Sequence, residues 1–322
     1  MFFPPKVCRK LPCAPATPGA HRPLARPTRE SLQEDMDRSL VDLHTHSTAS
    51  DGTDSPAALV ARAHDLGLAA IALTDHDTLA GLGEAEQAGR ERGLGIIRGC
   101  EISTRSEAGE HHILGLWIPA KADALDNWLD AVRRRRNERN AEMVARLRAL
   151  GFDITLEEVR AHASGSVGRP HMAAVLAAKG YARDVAAAFR DYLGADGKAY
   201  VPKRVPAPEE AVRVLAGMGA TAVLAHPFLN AASPTDVEAL TRRLAGCGLA
   251  AIEAWHSGHS EADTRHCVEL ARRFDLGVTG GSDYHGANKP GIQLGTGHGG
   301  LRVPVAVLEA LQERRRAGGL PC

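Results

Sequence analysis

Short apolar runs with β-strand spacing alternate along this chain with longer segments of helical spacing, and several of the runs lead into residues that bind metal. The run at residues 39–46 ends in His-x-His, and the run at 276–281 is followed by Asp283 and His285. Strands that alternate with helices predict a mostly parallel sheet. Because the carboxyl ends of parallel strands meet at one edge, we expect these polar side chains to converge on a single site.

Seven such runs are present. They cover residues 39–46, 68–73, 95–100, 113–118, 221–225, 249–253 and 276–281. Between them, residues 56–66, 237–244 and 262–274 have the periodicity of amphipathic helices. The sequence therefore predicts an α/β fold, a distorted (β/α)7 barrel that is closed or nearly closed.

Two segments depart from this rhythm. Residues 1–38 contain seven prolines, and no acidic residue precedes Glu30, so we expect a disordered extension or a true start at Met36. Residues 121–219 lose the strand pattern and contain five helical stretches, at 122–150, 155–163, 169–179, 184–193 and 208–218. We expect residues 39–322 to form one domain, with a helical insertion between strands four and five that lies over the site and selects the substrate.

Composition narrows the class of protein. Hydrophobic residues make up 44% of the 322 positions, and 39 basic residues balance 39 acidic ones, so no overall basic field would attract nucleic acid. Six scattered cysteines form no C-x-x-C pair, and no apolar run reaches the roughly 18 residues of a membrane span. We expect a cytoplasmic protein with no membrane association and no obligate protein partner.

Nine residues near the strand ends carry metal-binding side chains. They are His44, His46, Asp51, His76, Glu101, His112, His226, Asp283 and His285. The two-residue period of a strand sends His44 and His46 to the same face. His112 is an exception, because it precedes its run: either that strand is shifted or the residue reaches the site in another way. The six imidazoles favour Mn²⁺, Fe²⁺ or Zn²⁺ over Mg²⁺ and Ca²⁺.

Motifs at five positions, in this order, resemble the PHP (polymerase and histidinol phosphatase) domain. They are Asp42-Leu-His-Thr-His46, Thr74-Asp-His-Asp77, Gly99-Cys-Glu-Ile-Ser103, Ala225-His-Pro227 and Gly281-Ser-Asp-Tyr-His285. Other segments, including Gly168-Arg-Pro-His171, resemble the stand-alone metal-dependent phosphoesterases of that family, among them 3′,5′-nucleoside bisphosphate phosphatases and 5′-to-3′ exoribonucleases. The resemblance spans roughly residues 39–300 and implies a hydrolase of phosphoric ester bonds.

The resemblance also implies how two or three divalent ions, foremost Mn²⁺, would be held. The first ion takes His44, His46, Glu101 and Asp283; the second takes Glu101, His112 and His226; the third takes Asp51, His76 and His285. Many PHP domains place a histidine where this chain has Asp51, which alters the third site. A hydroxide that bridges two of the ions is expected to attack phosphorus.

Residues of the insertion are candidates for substrate contacts. His171 is a candidate general acid or phosphate donor, with Arg169 beside it as a second catalytic candidate. Arg136 and Asn137 lie in an arginine-rich helix that either forms a solvated face or, together with Arg169, grips a second phosphate.

Other polar residues have plainer interpretations. Glu253 either orients a ligand histidine or simply ends its strand, and His256 and His259 are weaker candidates for the rim of the site. Four further histidines are expected to be solvated or hydrogen-bonded. They are His64, His162, His266 and His298.

These features predict an enzyme that removes the 3′-phosphate from small nucleoside 3′,5′-bisphosphates and leaves the 5′-monophosphate. The nearest alternative is a 5′-to-3′ exoribonuclease on short RNA, which needs the same metals. A catalytically silent metal-binding module and an amidohydrolase-like C–N hydrolase are alternatives from other classes. The sequence leaves open the metal, the preferred base and the oligomeric state.

Overall fold

The computed structural model describes residues 39–162, 167–202, 204–229 and 233–322. The expected disordered extension, residues 1–38, lies outside the described residues. Across the described part of the chain, no helix combines the length and the hydropathy that a bilayer crossing requires.

Seven strands form one sheet in chain order. They are β1 (Val41–Thr45), β2 (Ala70–Leu73), β3 (Gly95–Ser106), β4 (Gly109–Leu116), β5 (Thr221–Ala225), β6 (Ala251–His256) and β7 (Gly277–Gly281). The pairs β1–β2, β2–β3, β5–β6 and β6–β7 are parallel. The predicted α/β class and the seven strands are confirmed.

The fourth strand runs against the others. β4 is antiparallel to both β3 and β5, and a short turn joins β3 to β4. Since β3 continues to Ser106 instead of ending at residue 100, the start of β4 lies at the edge where the parallel strands end. His112 pairs in register with Ser103 on one side and Ala225 on the other. The reversed direction of β4 thus explains why His112 precedes its apolar run.

The two ends of the sheet approach each other. The segment after β7 hydrogen-bonds to β1 and to the residue that follows it: Asp283 N donates to His44 O at 2.9 Å, and His46 N donates to Tyr284 O at 2.9 Å. The sheet is therefore barrel-like and nearly closed, as predicted.

Helices surround the sheet. They are α1 (Pro56–Asp65), α2 (Leu82–Arg92), α3 (Asp123–Ala149), α4 (Leu156–Ala161), α5 (Arg169–Ala178), α6 (Val185–Ala188), α7 (Pro208–Gly217), α8 (Pro234–Ala245), α9 (Glu261–Arg273) and α10 (Val305–Ala317). A π-helical turn, Phe189–Leu193, extends α6, and a 3-10 turn covers Gly286–Asn288. The sequence patterns did not predict α2 and α10.

The starts of several helices follow from local chemistry. Ser55 accepts a hydrogen bond from Ala58 N before the proline that opens α1. Thr155 and Glu158 form a capping box at α4, and Ser260 and Asp263 form one at α9. Such caps satisfy amide groups that a helix leaves free in its first turn, which stabilises each start by about 1 kcal/mol.

The helices between β4 and β5 have a hydrophobic cluster of their own. In that cluster, Met143 and Leu147 of α3 pack with Met172 and Leu176 of α5, all of them fully buried. A separate cluster fills the barrel between the strands and α10. The segment from Met143 to Val201 therefore has its own packing, whereas α7 and the first half of α3 pack with the barrel strands.

Candidate metal centre

The nine candidate ligands come together at one edge of the sheet. His44 lies in β1, Glu101 in β3 and His112 in β4, whereas His46, Asp51, His76, His226, Asp283 and His285 lie in the segments that follow β1, β2, β5 and β7. Positive φ angles of 25° at His226 and 58° at Asp283 turn the backbone sharply at two of these positions. Such strained conformations cluster at functional sites, where surrounding structure holds them.

A first group consists of His44, His46, Glu101 and Asp283, whose ligand atoms all lie within 4.8 Å of one another. His44 Nε2 and His46 Nε2 are each 3.1 Å from Glu101 Oε2, and His46 Nε2 is 3.3 Å from Asp283 Oδ1. All four residues are buried. The four ligand atoms thus surround one point.

A second group forms on the other oxygen of Glu101. Its Oε1 lies 2.7 Å from His112 Nδ1 and 3.0 Å from His226 Nε2, and those two nitrogens are 3.3 Å apart. His76 Nδ1 is 3.3 Å from Oε2. Because its two oxygens face different sets of imidazoles, Glu101 is placed to bridge two cations.

A third group contains Asp51, His76 and His285, joined by His46. Asp51 Oδ1 is 3.2 Å from His285 Nε2, and Asp51 Oδ2 is 3.9 Å from His76 Nε2. The side chain of Asp51 is 35% exposed, more than any other member of the group. This group is therefore the most open of the three.

The donor atoms suit cations. Five buried atoms of the cluster have no hydrogen-bond partner: His44 Nε2, His46 Nδ1, His46 Nε2, His76 Nδ1 and Glu101 Oε2. Buried polar atoms are rarely left without partners in folded proteins. Imidazole nitrogens combined with carboxylate oxygens are ligands for divalent transition metals. The residues present therefore fit a cluster of such ions.

The pKa values of residues in the cluster also indicate a site for cations. Burial lowers the pKa of His46, but the nearby carboxylates of Asp283 and Glu101 outweigh it and raise the pKa to about 9. Burial opposes the charge of Glu101, yet the imidazoles of His76, His112 and His44 hold its pKa well below the usual range. The carboxylates thus retain protons on His44, His46 and His226 until cations replace them, whereas the pKa values of His76 and His285 are lowered, first of all by burial.

A carboxylate behind the cluster orients one histidine. Glu253 is fully buried, lies 3.1 Å from His44 Nδ1 and accepts a hydrogen bond of 2.7 Å from His226 N. With Nδ1 donating to Glu253, His44 presents Nε2 to Glu101 and Asp283. Of the two roles that the sequence left open for Glu253, the contacts favour the orienting one.

Two residues hold Asp283; sequence reasoning missed Lys289 and named His256 only as a weaker candidate for the rim of the site. Lys289 Nζ donates to Asp283 Oδ2 at 2.6 Å, and His256 Nε2 lies 3.5 Å from the same oxygen. Gly258 N donates to His256 Nδ1 at 2.9 Å, so the neutral ring carries its proton on Nε2. Both residues engage Oδ2 and leave Oδ1 for the first group. Lys289 follows no strand pattern, and His256 ends β6, three residues beyond the apolar run at 249–253 that the sequence indicates.

A cavity of about 550 Å³ opens next to the cluster. Four members of the cluster line it, Asp51, His76, His112 and His285, and so do five residues of the insertion, Arg136, Arg139, Arg169, His171 and Phe189. The insertion thus lies over the cluster, and a molecule in the cavity would touch both.

Arg136 and Arg169, the candidates for gripping a second phosphate, both line the cavity, and each lies near a carboxylate. Arg136 pairs with the buried carboxylate of Asp77 and donates to Ser103 Oγ at 3.1 Å. Arg169 Nη2 lies 3.6 Å from Glu110 Oε1. Asn137 lines a neighbouring cavity of about 430 Å³ that also touches His76 and Arg136.

His171 has a defined tautomer. Gly168 N donates to His171 Nδ1 at 3.0 Å, so in the neutral ring Nε2 carries the proton. Burial lowers the pKa of His171, which keeps the ring neutral near pH 7. The ring therefore offers one N–H donor at the cavity wall.

The remaining histidines contact groups outside the cluster. His111 Nε2 is 2.8 Å from Ser106 Oγ in the β3–β4 hairpin, which leaves His112 as the member of the pair at the site. His64 and His298 are exposed and bond to Asp65 and to the carbonyl of Gly291. His162, expected to be solvated, is exposed but also lines the cavity.

Comparison with known proteins places this site in a family. The model of the PHP domain matches residues 42–200. A 5′-3′ exoribonuclease from Haemophilus influenzae is 34% identical over 76% of this chain and 89% of its own length. The chain belongs to the PHP family. The resemblance inferred from the sequence motifs is confirmed.

Two further PHP relatives differ in the reactions that their names describe. A 3′,5′-nucleoside bisphosphate phosphatase from Chromobacterium violaceum is 33% identical over 79% of this chain and 90% of its own. A phosphoribosyl 1,2-cyclic phosphate 1,2-diphosphodiesterase from Eggerthella lenta is 35% identical over 82% of this chain and 99% of its own. These relatives are all phosphoester hydrolases, and the expectation of a hydrolase acting on phosphoric ester bonds is confirmed.

A solved structure extends the likeness to three dimensions. The crystal structure of a proposed metal-dependent phosphoesterase from Bifidobacterium adolescentis superposes with a TM-score of 0.72 at 33% identity, over 86% of this chain and 96% of the other. The barrel predicted from the strand pattern and the PHP fold implied by the motif resemblance are thereby confirmed.

Proposed function

We propose that this PHP phosphoesterase hydrolyses the 3′-phosphate of nucleoside 3′,5′-bisphosphates and releases the 5′-monophosphate. The observation that carries the proposal is a cavity lined both by ligands for cations and by arginines. A small molecule with two phosphates matches both kinds of group. The relative from Chromobacterium violaceum, named for this activity, supports the choice.

The proposed cofactors are two or three divalent ions, foremost Mn²⁺, with Fe²⁺ and Zn²⁺ as alternatives. The ligand sets proposed are the three given above, with Glu101 as the bridge and His46 adjoining the third group. When bound, such ions supply Lewis acidity and a water molecule of lowered pKa. The three carboxylates in the sets, Asp51, Glu101 and Asp283, offset only part of the charge of three dications, so a phosphate is attracted to the loaded site.

The chain's own residues contribute orientation and proton transfer. His171 is proposed to donate its Nε2 proton to the leaving oxygen of the sugar, with Arg169 beside it to orient the substrate. Arg136 and Asn137 are proposed to contact substrate as well. The ion pair with Asp77 holds the side chain of Arg136 in one conformation at the cavity wall. The guanidinium is therefore already oriented before a substrate binds.

The cellular setting is also a proposal. Cys100, Cys247, Cys267 and Cys322 are free thiols, as expected in a reducing compartment such as the cytoplasm. We propose that the partners are small nucleotides and not other proteins.

A second candidate is 5′-to-3′ trimming of short RNA, favoured by the relative from Haemophilus influenzae. Phosphate release from adenosine 3′,5′-bisphosphate should be compared with nucleotide release from a 5′-phosphorylated oligoribonucleotide, with Mn²⁺ present in both assays. The proposal predicts a higher kcat/KM for the bisphosphate. A higher kcat/KM for the oligonucleotide would favour the exoribonuclease, and no hydrolysis of either substrate would favour a silent module or C–N hydrolysis.

A further inference from the structure

The segment that carries Asp51 is held to the barrel by a carboxylate outside the three ligand groups. Asp75, which follows the end of β2, is buried. Its Oδ1 accepts hydrogen bonds from Ser47 N at 2.8 Å and from Ser50 Oγ at 2.6 Å, and its Oδ2 accepts one from Ser47 Oγ at 2.7 Å. Both oxygens of this buried carboxylate are thus engaged by residues 47–50.

These hydrogen bonds fix the residue next to Asp51. Ser50 Oγ has one proton, which the contact of 2.6 Å to Asp75 takes, and the same oxygen lies 3.2 Å from Asp51 Oδ1. Ser50 N donates to Ser47 O at 3.1 Å, which closes a turn. Asn288 also holds Asp51, by donating to its carbonyl oxygen at 2.7 Å, but Asn288 is exposed. Asp75 is therefore the buried support of this turn.

The two histidines of the third group are held in other ways. His76 follows Asp75 directly, but the backbone of this segment pairs with β3: Glu101 N donates to Asp75 O at 3.2 Å, and His76 forms a β-bridge with Glu101. His285 lies in the segment after β7. Removal of the Asp75 carboxylate should therefore displace Asp51 and leave both histidines in place.

We propose that Asp75 is a positioning residue for the third ion, because it holds the turn at residues 47–50 so that Asp51 faces His76 and His285. This inference rests on the proposed function, through the ions which that function requires, and it adds that the third ion alone depends on Asp75. The side chain of Asp51 is 35% exposed, so it loses conformational freedom when it binds a cation. A turn that a buried carboxylate holds reduces that loss, because the backbone of the ligand is already in place.

The metal test uses Mn²⁺-loaded protein equilibrated with increasing concentrations of a chelator of known affinity. In Asp75→Ala, the affinity for the most weakly held equivalent, expected in the open third group, should fall about 10- to 100-fold, while the other equivalents stay within roughly threefold. Asp75→Asn should recover much of the loss, because its amide oxygen still accepts from Ser47 N. Leu176→Ala, in the separate cluster of the insertion, is the control for lost stability and should retain every equivalent. Equal weakening of all equivalents, or no weakening in Asp75→Ala, would overturn the assignment.

Activity gives a second readout. The Mn²⁺ concentration that supports half-maximal hydrolysis should rise about 10- to 100-fold in Asp75→Ala, whereas kcat at saturating Mn²⁺ should stay within about threefold of the wild type. A kcat that remains low at saturating Mn²⁺ would contradict a role that acts through the position of Asp51.

The contact next to Asp51 can be tested separately. Ser50→Ala removes one of the three hydrogen bonds to Asp75 and should weaken the third equivalent about fivefold. Because both changes act through the same contact, the double variant should bind little more weakly than Asp75→Ala. Ser50→Ala and Asp75→Asn also serve if Asp75→Ala does not fold. Unchanged affinity in Ser50→Ala, or fully additive losses, would exclude this route.

The outcomes distinguish the positioning role from the proposed function. If the wild-type protein hydrolyses neither the bisphosphate nor the oligoribonucleotide, but its third equivalent depends on Asp75, the proposed function fails and the positioning role stands. If the bisphosphate is hydrolysed and the wild-type protein holds no third equivalent, or holds it as tightly after Asp75 is replaced, the positioning role is wrong and the proposed function stands.

Discussion

At the scale of single residues, Glu101 lies at the centre of the site. Its Oε2 faces His44, His46 and His76, and its Oε1 faces His112 and His226. The residue is fully buried, and these five imidazoles lie 2.7–3.3 Å from its oxygens. A carboxylate in that position is stable only while positive charge surrounds it, either as protons on the imidazoles or as cations.

The orienting role of Glu253 gives a first prediction. Glu253→Ala leaves His44 Nδ1 and His226 N without their acceptor, so the affinity for the most tightly held metal should fall about 10- to 100-fold. Competition with a chelator of known affinity measures the change, with the exposed Glu261 replaced by alanine as control. An affinity within about twofold of the wild type would show that Glu253 does not orient a ligand.

The proton on His171 gives a second prediction. His171→Ala should lower kcat by about 100-fold for a nucleoside phosphate, whose sugar oxygen needs a proton to leave. For p-nitrophenyl phosphate, whose leaving group needs no acid, the loss should be much smaller. Similar losses with both leaving groups would exclude His171 as the general acid.

The raised pKa of His46 gives a pH prediction. A proton on this ring stabilises the metal-free fold, fully below pH 6.5 and no longer as pH rises through about 9. Since a metal must displace that proton, metal affinity should increase across the same window, by up to about tenfold per pH unit for each proton released. Titrations of the metal-free protein at several pH values measure the slope, and an affinity that stays flat from pH 6.5 to 9 would contradict this coupling.

At the scale of elements, the reversed strand β4 brings His112 to the cluster. Apolar periodicity indicates that a strand exists but not its direction, and the turn at Glu107 and Ala108 lacks the Asn-Gly or Asp-Gly pair that marks tight hairpins. The sequence could therefore place His112 beside a strand but not at the correct end. The other ligands were predictable because each lies at or near the end of an apolar run.

The partners of the cluster were less predictable for a physical reason. Lys289 reaches Asp283 from a loop, and Arg139 reaches the cavity from a long helix whose arginine run resembles a solvated face. Which arginine is buried depends on how α3 packs on the barrel and on α5, and that packing is tertiary. Sequence patterns alone led to Arg136 and Arg169 and not to Arg139.

The separate hydrophobic cluster of the insertion leads to a prediction for elements. Leu176→Ala, in that cluster, should destabilise the protein by about 2–5 kcal/mol and weaken nucleotide binding without lowering metal content. Leu114→Ala, in the barrel beside Glu101, should cost a similar amount and also lower metal content. Thermal unfolding and elemental analysis of both variants test this, and loss of metal in Leu176→Ala would mean that the insertion and the metal centre are not independent.

At the scale of the whole molecule, the barrel collects ligands that are some 240 positions apart in sequence, from His44 to His285. Each strand contributes few polar groups, and the apolar residues beneath them fill the barrel. The fold thus concentrates charge at one edge and supports it with a core below, while the insertion covers the site from above. Binding of cations to the folded state alone should stabilise the entire domain.

The metal centre is tested by the metal content of active protein, purified without chelator and measured by elemental analysis before and after dialysis against a chelator. We expect two or three equivalents of a divalent transition metal, with phosphoesterase activity that disappears on dialysis and returns when the metal is restored. Active protein that contains no metal, or activity that survives its removal, would contradict the claim that these nine side chains form a metal centre.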